Sequence, residues 1–256
     1  MGRALYEAFP GLRDLYQEAS SVLGYDVAAL CFDGPAERLN LTEYTQPALL
    51  VSSSAALRML EPVGLTPVAV AGHSLGEYSA LVAAGGLSFR DAVALVQKRG
   101  RYMAEAVAPG TGLVAALLGL TPEVVKDLCR EASSVGVVAA ANFNCPGQVV
   151  IAGEKAAVER ALELAKAKGC RKAILLPVSV PVHTPLMQKA ADRLAPEVAA
   201  VKWVDFKIPL VNNAEAKPLR TAVDVQASLI RQLPSSVLWE DSVKTMAGIG
   251  VRTFIE

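Results

Sequence analysis

Residues 67–76 constrain this chain more than any other stretch. The apolar run Pro67-Val-Ala-Val-Ala71 leads straight into Gly72-His-Ser-Leu-Gly76, and small residues follow as far as Ala84. A short apolar run that meets a glycine-bounded turn predicts a buried strand, a tight turn and then a helix over residues 77–84. Strand feeding helix through such a turn belongs to an α/β layer. Gly-x-Ser-x-Gly in that setting lifts a serine hydroxyl above the carboxyl end of the strand, and the helix N-terminus behind it favours developing negative charge. The sharp turn predicts a backbone collision for any side chain at Gly72 or Gly76. The plainer alternative is a tight turn whose Ser74 only caps the helix.

A serine hydroxyl at neutral pH needs a base to become a nucleophile. The chain has two histidines, His73 and His183. His73 neighbours Ser74, and adjacent side chains at such a turn point apart, so its role is packing or hydrogen bonding beside the turn. His183 is left as the candidate base. It lies in Pro177-Val-Ser-Val-Pro-Val-His-Thr-Pro185, a proline-punctuated loop after a strand, where catalytic groups are often held.

Residues 88–103 read as a helix, with Ser88 as N-cap and Asp91 in a capping-box arrangement. At about 100° per residue, Phe89, Ala92, Val93, Val96, Gly100 and Met103 form one stripe, and Arg99 falls within it. Lys98 and Arg101 lie on the opposite face. A buried arginine needs an anionic partner. Spacing leaves two partners open, a core carboxylate in a structural ion pair or the carboxylate of a substrate gripped by the guanidinium fork.

The rest of the chain supplies a frame. Residues 4–22 and 47–60 read as helices, with Gly34-Pro35 as a turn between them. Residues 113–118, a helix from Thr121-Pro122, strands at 135–142 and 148–152, a helix over 154–168 and a strand over 171–176 give the order βαββαβ. The expected architecture is α/β, a hydrolase-like parallel-sheet main domain (residues 1–110 and 181–256) carrying an inserted ferredoxin-like subdomain (residues 111–180). The chain opens in a predicted helix and closes in a predicted strand over residues 251–255, so both ends look cut. Lys+Arg and Asp+Glu balance at 25 each, which argues against a nucleic-acid partner. No apolar run is long enough to cross a bilayer, and the N-terminus is neither a signal peptide nor a myristoylation site. Cys31, Cys129, Cys145 and Cys170 are scattered without a CxxC pair, so a reducing cytoplasm is expected and a zinc site is not.

At these residues the chain resembles a known family. Gly72-His-Ser-Leu-Gly-Glu-Tyr-Ser-Ala-Leu81 is similar to the active-site signature of malonyl-CoA:acyl carrier protein transacylases, the loading enzymes of bacterial-type fatty acid synthesis. Thr45-Gln-Pro-Ala-Leu49, Asn142-Phe-Asn-Cys-Pro-Gly-Gln-Val-Val-Ile-Ala-Gly153, Leu176-Pro-Val-Ser-Val-Pro-Val-His183 and Val211-Asn-Asn213 match further family pieces in order. The resemblance implies Ser74 as the acyl-carrying nucleophile, His183 as its general base and Arg99 as the grip on the malonyl carboxylate. It also implies that the backbone carbonyl of Gln232 orients the histidine and that the Leu75 N–H is an oxyanion donor. Gln46, Met103, Asn142 and Asn144 match positions lining the acyl or pantetheine channel.

The implied reaction is ping-pong malonyl transfer from coenzyme A to the phosphopantetheine thiol of acyl carrier protein, in fatty acid or polyketide synthesis. Neither metal nor redox cofactor is required. The carrier is acidic in this family. Lys166, Lys168, Arg171 and Lys172 form a basic cluster that suits it, or equally a solvated helix end. Two departures stand out. Val182 replaces the serine that many bacterial members carry before the histidine. Family members also open with a strand and a Gly-Gln-Gly-Ser-Gln loop that supplies a second oxyanion donor, and they continue into a Gly-Pro-Gly loop; these 256 residues contain neither. Losing one oxyanion donor costs on the order of 100- to 1,000-fold, so a chain weaker than a complete enzyme is expected. Two rivals remain, a serine hydrolase of the α/β-hydrolase type and a silent coenzyme A-binding remnant. The hydrolase needs an acid between Ser74 and His183, where the aspartates are Asp91 and Asp127.

Overall fold

The computed structural model describes residues 1–178 and 180–256. The chain opens with helices α1 (Arg3–Ala8), α2 (Arg13–Leu23), α3 (Val27–Asp33), α4 (Ala36–Leu39) and α5 (Thr42–Leu60). The single helix expected over residues 4–22 is thus broken. Phe9 precedes a proline, which disfavours the α region, and it is extended at φ −126° before a 3₁₀ turn at Pro10–Leu12. The second expected helix begins five residues earlier than Pro47, which sits inside α5 and forfeits one ladder bond. Packing offsets that loss. A side chain on Gly100 would come within 2.6 Å of the Thr42 carbonyl oxygen, so α5 can press its first turn directly onto the helix that carries Gly100.

Next come β1 (Val70–Ala71), α6 (Gly76–Ala84) and α7 (Phe89–Glu105). The Ser88 hydroxyl accepts the Asp91 N–H and so caps α7. Strand β2 (Gly112–Leu118), helix α8 (Pro122–Ala132), strands β3 (Val138–Cys145) and β4 (Gln148–Glu154), helix α9 (Lys155–Ala167) and strand β5 (Lys172–Leu175) follow. A 3₁₀ turn at Pro185–Met187 leads to α10 (Gln188–Ala200), β6 (Leu210–Val211), β7 (Pro218–Leu219), α11 (Ala222–Gln232) and α12 (Trp239–Gly248).

Two sheets result. β1 pairs in parallel with β6, and β7 adds antiparallel to β6. The other sheet has the order β3-β4-β2-β5 with every pair antiparallel, which is the split-βαβ arrangement expected of a ferredoxin-like unit. The α/β reading of the sequence holds, although the parallel component is one short pair and helices supply most of the main layer. The first strand of the hairpin runs three residues later than expected, so it carries Asn144 as well as Asn142. Residues 251–256 form no strand. A strand exists only through its ladder, and no described segment pairs with them, so Phe254 and Ile255 are exposed.

Each sheet has its own core. Leu50, Val51, Leu81, Leu95, Val96, Leu194, Leu210 and Leu229 pack together around the first. Leu117, Val125, Leu128, Phe143, Ile151 and Val158 pack beneath the second. Each large side chain so buried contributes about 1.5–3 kcal/mol. Residues 236–238 join the two units. The Val237 N–H donates to the Ala141 carbonyl and the Val237 carbonyl accepts from Phe143, which lays this segment along β3. Among the described residues no helix is long and apolar enough to cross a membrane.

Candidate active site

The turn after β1 is built by one glycine rather than two. A side chain on Gly72 would overlap the backbone of Gly76, whereas a side chain on Gly76 would meet nothing within 4 Å. The expected collision is therefore real at Gly72 and absent at Gly76, because Gly76 already belongs to α6 and faces open space. Ser74 adopts φ 53°, a conformation that L side chains rarely take. Asn213, just past β6, clamps the turn on both sides. Its side-chain oxygen accepts the Ser74 N–H at 2.6 Å, and its amide donates to the Gly72 carbonyl at 2.9 Å. The Leu75 N–H has no acceptor among the described residues and lies at the start of α6, where an oxyanion donor would have to be.

His183 is buried and also has a positive φ, 59°. The Ser74 hydroxyl lies 2.7 Å from its Nε2. Its Nδ1 lies 3.0 Å from the Gln232 carbonyl at the end of α11. A carbonyl can only accept, so Nδ1 carries the proton and Nε2 keeps the lone pair that faces the serine. Burial, and after it the charge of Arg99, pushes the His183 pKa down to about 3. The imidazole is neutral at physiological pH and able to take a proton. Ser179, in the loop that delivers it, lies outside the described residues.

Arg99 is 1% exposed. One guanidinium nitrogen donates to Gln46 Oε1 at 2.7 Å, and the other donates to Gln232 Oε1 and to the Ser74 hydroxyl, each at 3.0 Å. Its Nε has no partner among the described residues, and the Tyr78 ring lies 5.7 Å away. Of the two partners that spacing left open, the core carboxylate is not found: neutral amide oxygens hold Arg99, and among the described residues it forms no ion pair. Burial lowers its pKa, and Tyr78 and then Glu77 act in the opposite direction.

The remaining positions divide into two groups. Gln46 and Met103 stand beside Arg99, with the Gln46 amide donating to Thr42 Oγ1 at 2.8 Å and to the Met103 sulfur at 3.5 Å. Asn142 and Asn144 lie on β3 in the other unit and make no hydrogen bond to Ser74, His183 or Arg99 among the described residues. Asn144 approaches the turn through His73, whose Nε2 lies 3.0 Å from Asn144 Oδ1 and whose ring sits 5.6 Å from that of Trp239. Asp91 bonds Ser88 at the head of α7, and Asp127 pairs with Arg130 on α8. Neither faces His183. Lys166, Lys168, Arg171 and Lys172 are all exposed around the end of α9.

Sequence reading assigned no role to Glu77 and Asn213, which the structure places under the serine. Asn213 had a signal, an asparagine pair ending a short apolar strand. Glu77 had one too, the one acidic residue in an otherwise small and apolar helix.

The acyl transferase domain family matches over residues 1–256. The chain is 48% identical over 250 residues to a malonyl CoA-acyl carrier protein transacylase of Escherichia coli (strain K12), covering 97% of this chain and 81% of that one. It is 46% identical over 257 residues to the Bacillus subtilis (strain 168) protein of the same name, covering 100% and 81% respectively. A solved complex of a type II polyketide synthase acyl-carrier protein with its malonyl-transacylase superposes with a TM-score of 0.94 at 46% identity, covering 96% of this chain and 80% of that one. The chain belongs to the acyl transferase domain family and, within it, to the malonyl CoA-acyl carrier protein transacylases.

Proposed function

We propose that this chain transfers a malonyl group from coenzyme A to the phosphopantetheine thiol of an acyl carrier protein, with Ser74 as the covalent way-station. The observation that carries this reading is one line of contacts. Gln232 carbonyl, His183 and Ser74 stand in hydrogen-bond sequence, with a buried guanidinium also on the serine oxygen.

His183 Nε2 takes the Ser74 proton as Oγ attacks the thioester carbon. The oxyanion forms beside the Leu75 N–H. The C–S bond breaks, and the proton held on His183 leaves with coenzyme A thiol. In the second half the carrier thiol gives its proton to His183 and its sulfur attacks the acyl-serine. The C–Oγ bond then breaks and Ser74 regains its proton. The cycle balances without a metal or a redox cofactor.

Arg99 supplies the choice of acyl group. An incoming carboxylate can take the place of Gln46 and Gln232 on the guanidinium and bring the negative charge that the fork lacks. An acetyl thioester would bring none. A carrier that is acidic would find the exposed Lys166, Lys168, Arg171 and Lys172 on the ferredoxin-like unit. We place the activity in the cytoplasm, a setting that suits four free cysteines. A hydrolase of the triad type would need an acid on His183, and the Gln232 carbonyl holds that position.

The test is the intact mass of the protein after brief incubation with malonyl-CoA, beside Ser74→Ala. A malonyl adduct on the wild type alone is expected. Coenzyme A binding by a folded protein without any adduct would replace this reading with that of a binding remnant.

A further inference from the structure

Glu77 is fully buried on the first turn of α6, three residues past Ser74. A carboxyl group removed from water is costly unless its oxygens find partners. Only one of these two does. Oε2 accepts from the Gln232 side-chain amide and, at 3.2 Å, from the Asn213 N–H. Oε1 has no partner among the described residues.

The two groups that Glu77 holds are the two that hold Ser74. Asn213 Oδ1 accepts the Ser74 N–H, and Gln232 Nε2 donates to the Ser74 carbonyl at 2.9 Å. A non-glycine residue at positive φ is strained and persists only where its surroundings over-determine it. Both peptide groups of Ser74 are fixed by residues that meet at a single carboxyl oxygen. Gln232 also offers its backbone carbonyl to His183, the other positive-φ residue of the site. Thus α6, the loop after β6 and the end of α11 converge on Glu77.

We propose that Glu77 is a positioning residue of the transfer reaction, anchoring Gln232 and Asn213 so that the Ser74 turn and the carbonyl that orients His183 stay in register. The proposal rests on Ser74 being the acyl carrier. Glu77 touches no reacting atom. Burial pushes its pKa up to about 7 against the hydrogen bonds from Gln232 and Asn213 and the charge of Arg99 on α7, while Glu77 in turn raises the pKa of its helix neighbour Tyr78. Oε2 can accept both hydrogen bonds whether the carboxyl is ionised or carries its proton on Oε1. The role therefore needs an oxygen at that place, not a charge.

The comparison of Glu77→Gln with Glu77→Ala tests this. Glutamine can set its amide oxygen where Oε2 stands; alanine cannot. In Glu77→Ala the rate of Ser74 acylation should fall on the order of 100-fold, the cost of a misplaced reacting group, with KM for malonyl-CoA nearly unchanged. The acid limb of kcat/KM should move up by about one pH unit or more, because a loosened site admits water and relieves the desolvation of His183. Glu77→Gln should retain both wild-type properties. A lower melting temperature in Glu77→Ala with acylation and pH limb unchanged would reduce Glu77 to a stability role and overturn the proposal. If Glu77→Ala does not fold, Gln232→Leu must show the same loss, since it removes the held amide and keeps the backbone carbonyl; normal acylation there overturns the proposal equally. Labelling of Ser74 by a fluorophosphonate separates this idea from the transfer reading. A wild type that labels but accepts no malonyl sinks the transfer reading, and the labelling ratio of Glu77→Ala to Glu77→Gln then decides the positioning role.

Discussion

At the scale of single residues, the site consists of groups whose ordinary properties have been shifted by burial. His183 is held neutral, with its pKa at about 3 against an ordinary 6.5. The unfolded chain binds the extra proton below pH 6.5, so this contribution to stability is complete above pH 6.5 and is lost as the pH falls towards 3. Glu77 runs the other way. Its pKa rises from 4.5 to about 7, so its contribution is complete below pH 4.5 and is lost as the pH rises through 7. Urea melts of wild type and His183→Gln at pH 7.5 and pH 5 isolate the histidine, and the stability gap between them should shrink at the lower pH. Arg99→Ala should cost malonyl transfer about 2–5 kcal/mol, the usual loss when one partner of a buried charge pair is removed. Acetyl transfer should change far less, and parallel rates with the two thioesters check it. These residues were legible to different degrees. Ser74 and His183 followed from a motif and from the shortage of histidines, and Arg99 from helical spacing. Glu77 stood out only as an acidic residue in an apolar helix, and its role was not legible, because its partners arrive from residues 213 and 232.

At the scale of elements, close backbone approach decides which glycines matter. Gly72→Ala would drive a methyl group into Gly76, and overpacking of this kind costs about 1–3 kcal/mol or more. Gly76→Ala meets open space and should fold with a wild-type melting temperature. Thermal melts of the two variants should differ by several degrees, with Gly72→Ala the lower. Equal melts would mean that the turn is less tight than its geometry. The motif treats these glycines as equivalent, and only the path of the chain between them separates their roles. Proline at position 47 teaches a related lesson. Local rules start a helix there, yet α5 begins at Thr42 because α7 packs against its first turn through Gly100.

At the scale of the whole molecule, the serine stands beside one sheet while Asn142 and Asn144 stand on the other, so the relative placement of the two units sets how these asparagines face the serine. Residues 236–238 fix that placement, with Val237 bonded in both directions to β3 and Ser236 Oγ donating to the Ala140 carbonyl at 2.7 Å. Val237→Pro removes the N–H that reaches Ala141 and leaves a buried carbonyl without it, a cost of about 1–3 kcal/mol. The variant should exchange the Phe143 amide hydrogen faster than wild type while the β2–β4 ladder stays protected, which hydrogen exchange can read directly. Uniform loss of protection across both units would instead show that the molecule opens as one body.

The sequence by itself determined the local chemistry of this protein. Alternation and turn residues set the βαββαβ order, helical spacing turned Arg99 inward, and one motif marked the nucleophile, because each depends on neighbours within a few residues. Tertiary structure alone decided what surrounds them. It gave Arg99 amides in place of a carboxylate and gathered Asn213 and Gln232 around Glu77 beneath the serine. Most of those contacts join residues more than a hundred positions apart. No periodicity reports them, since they exist only after the separate helices and strands have buried their apolar faces against one another.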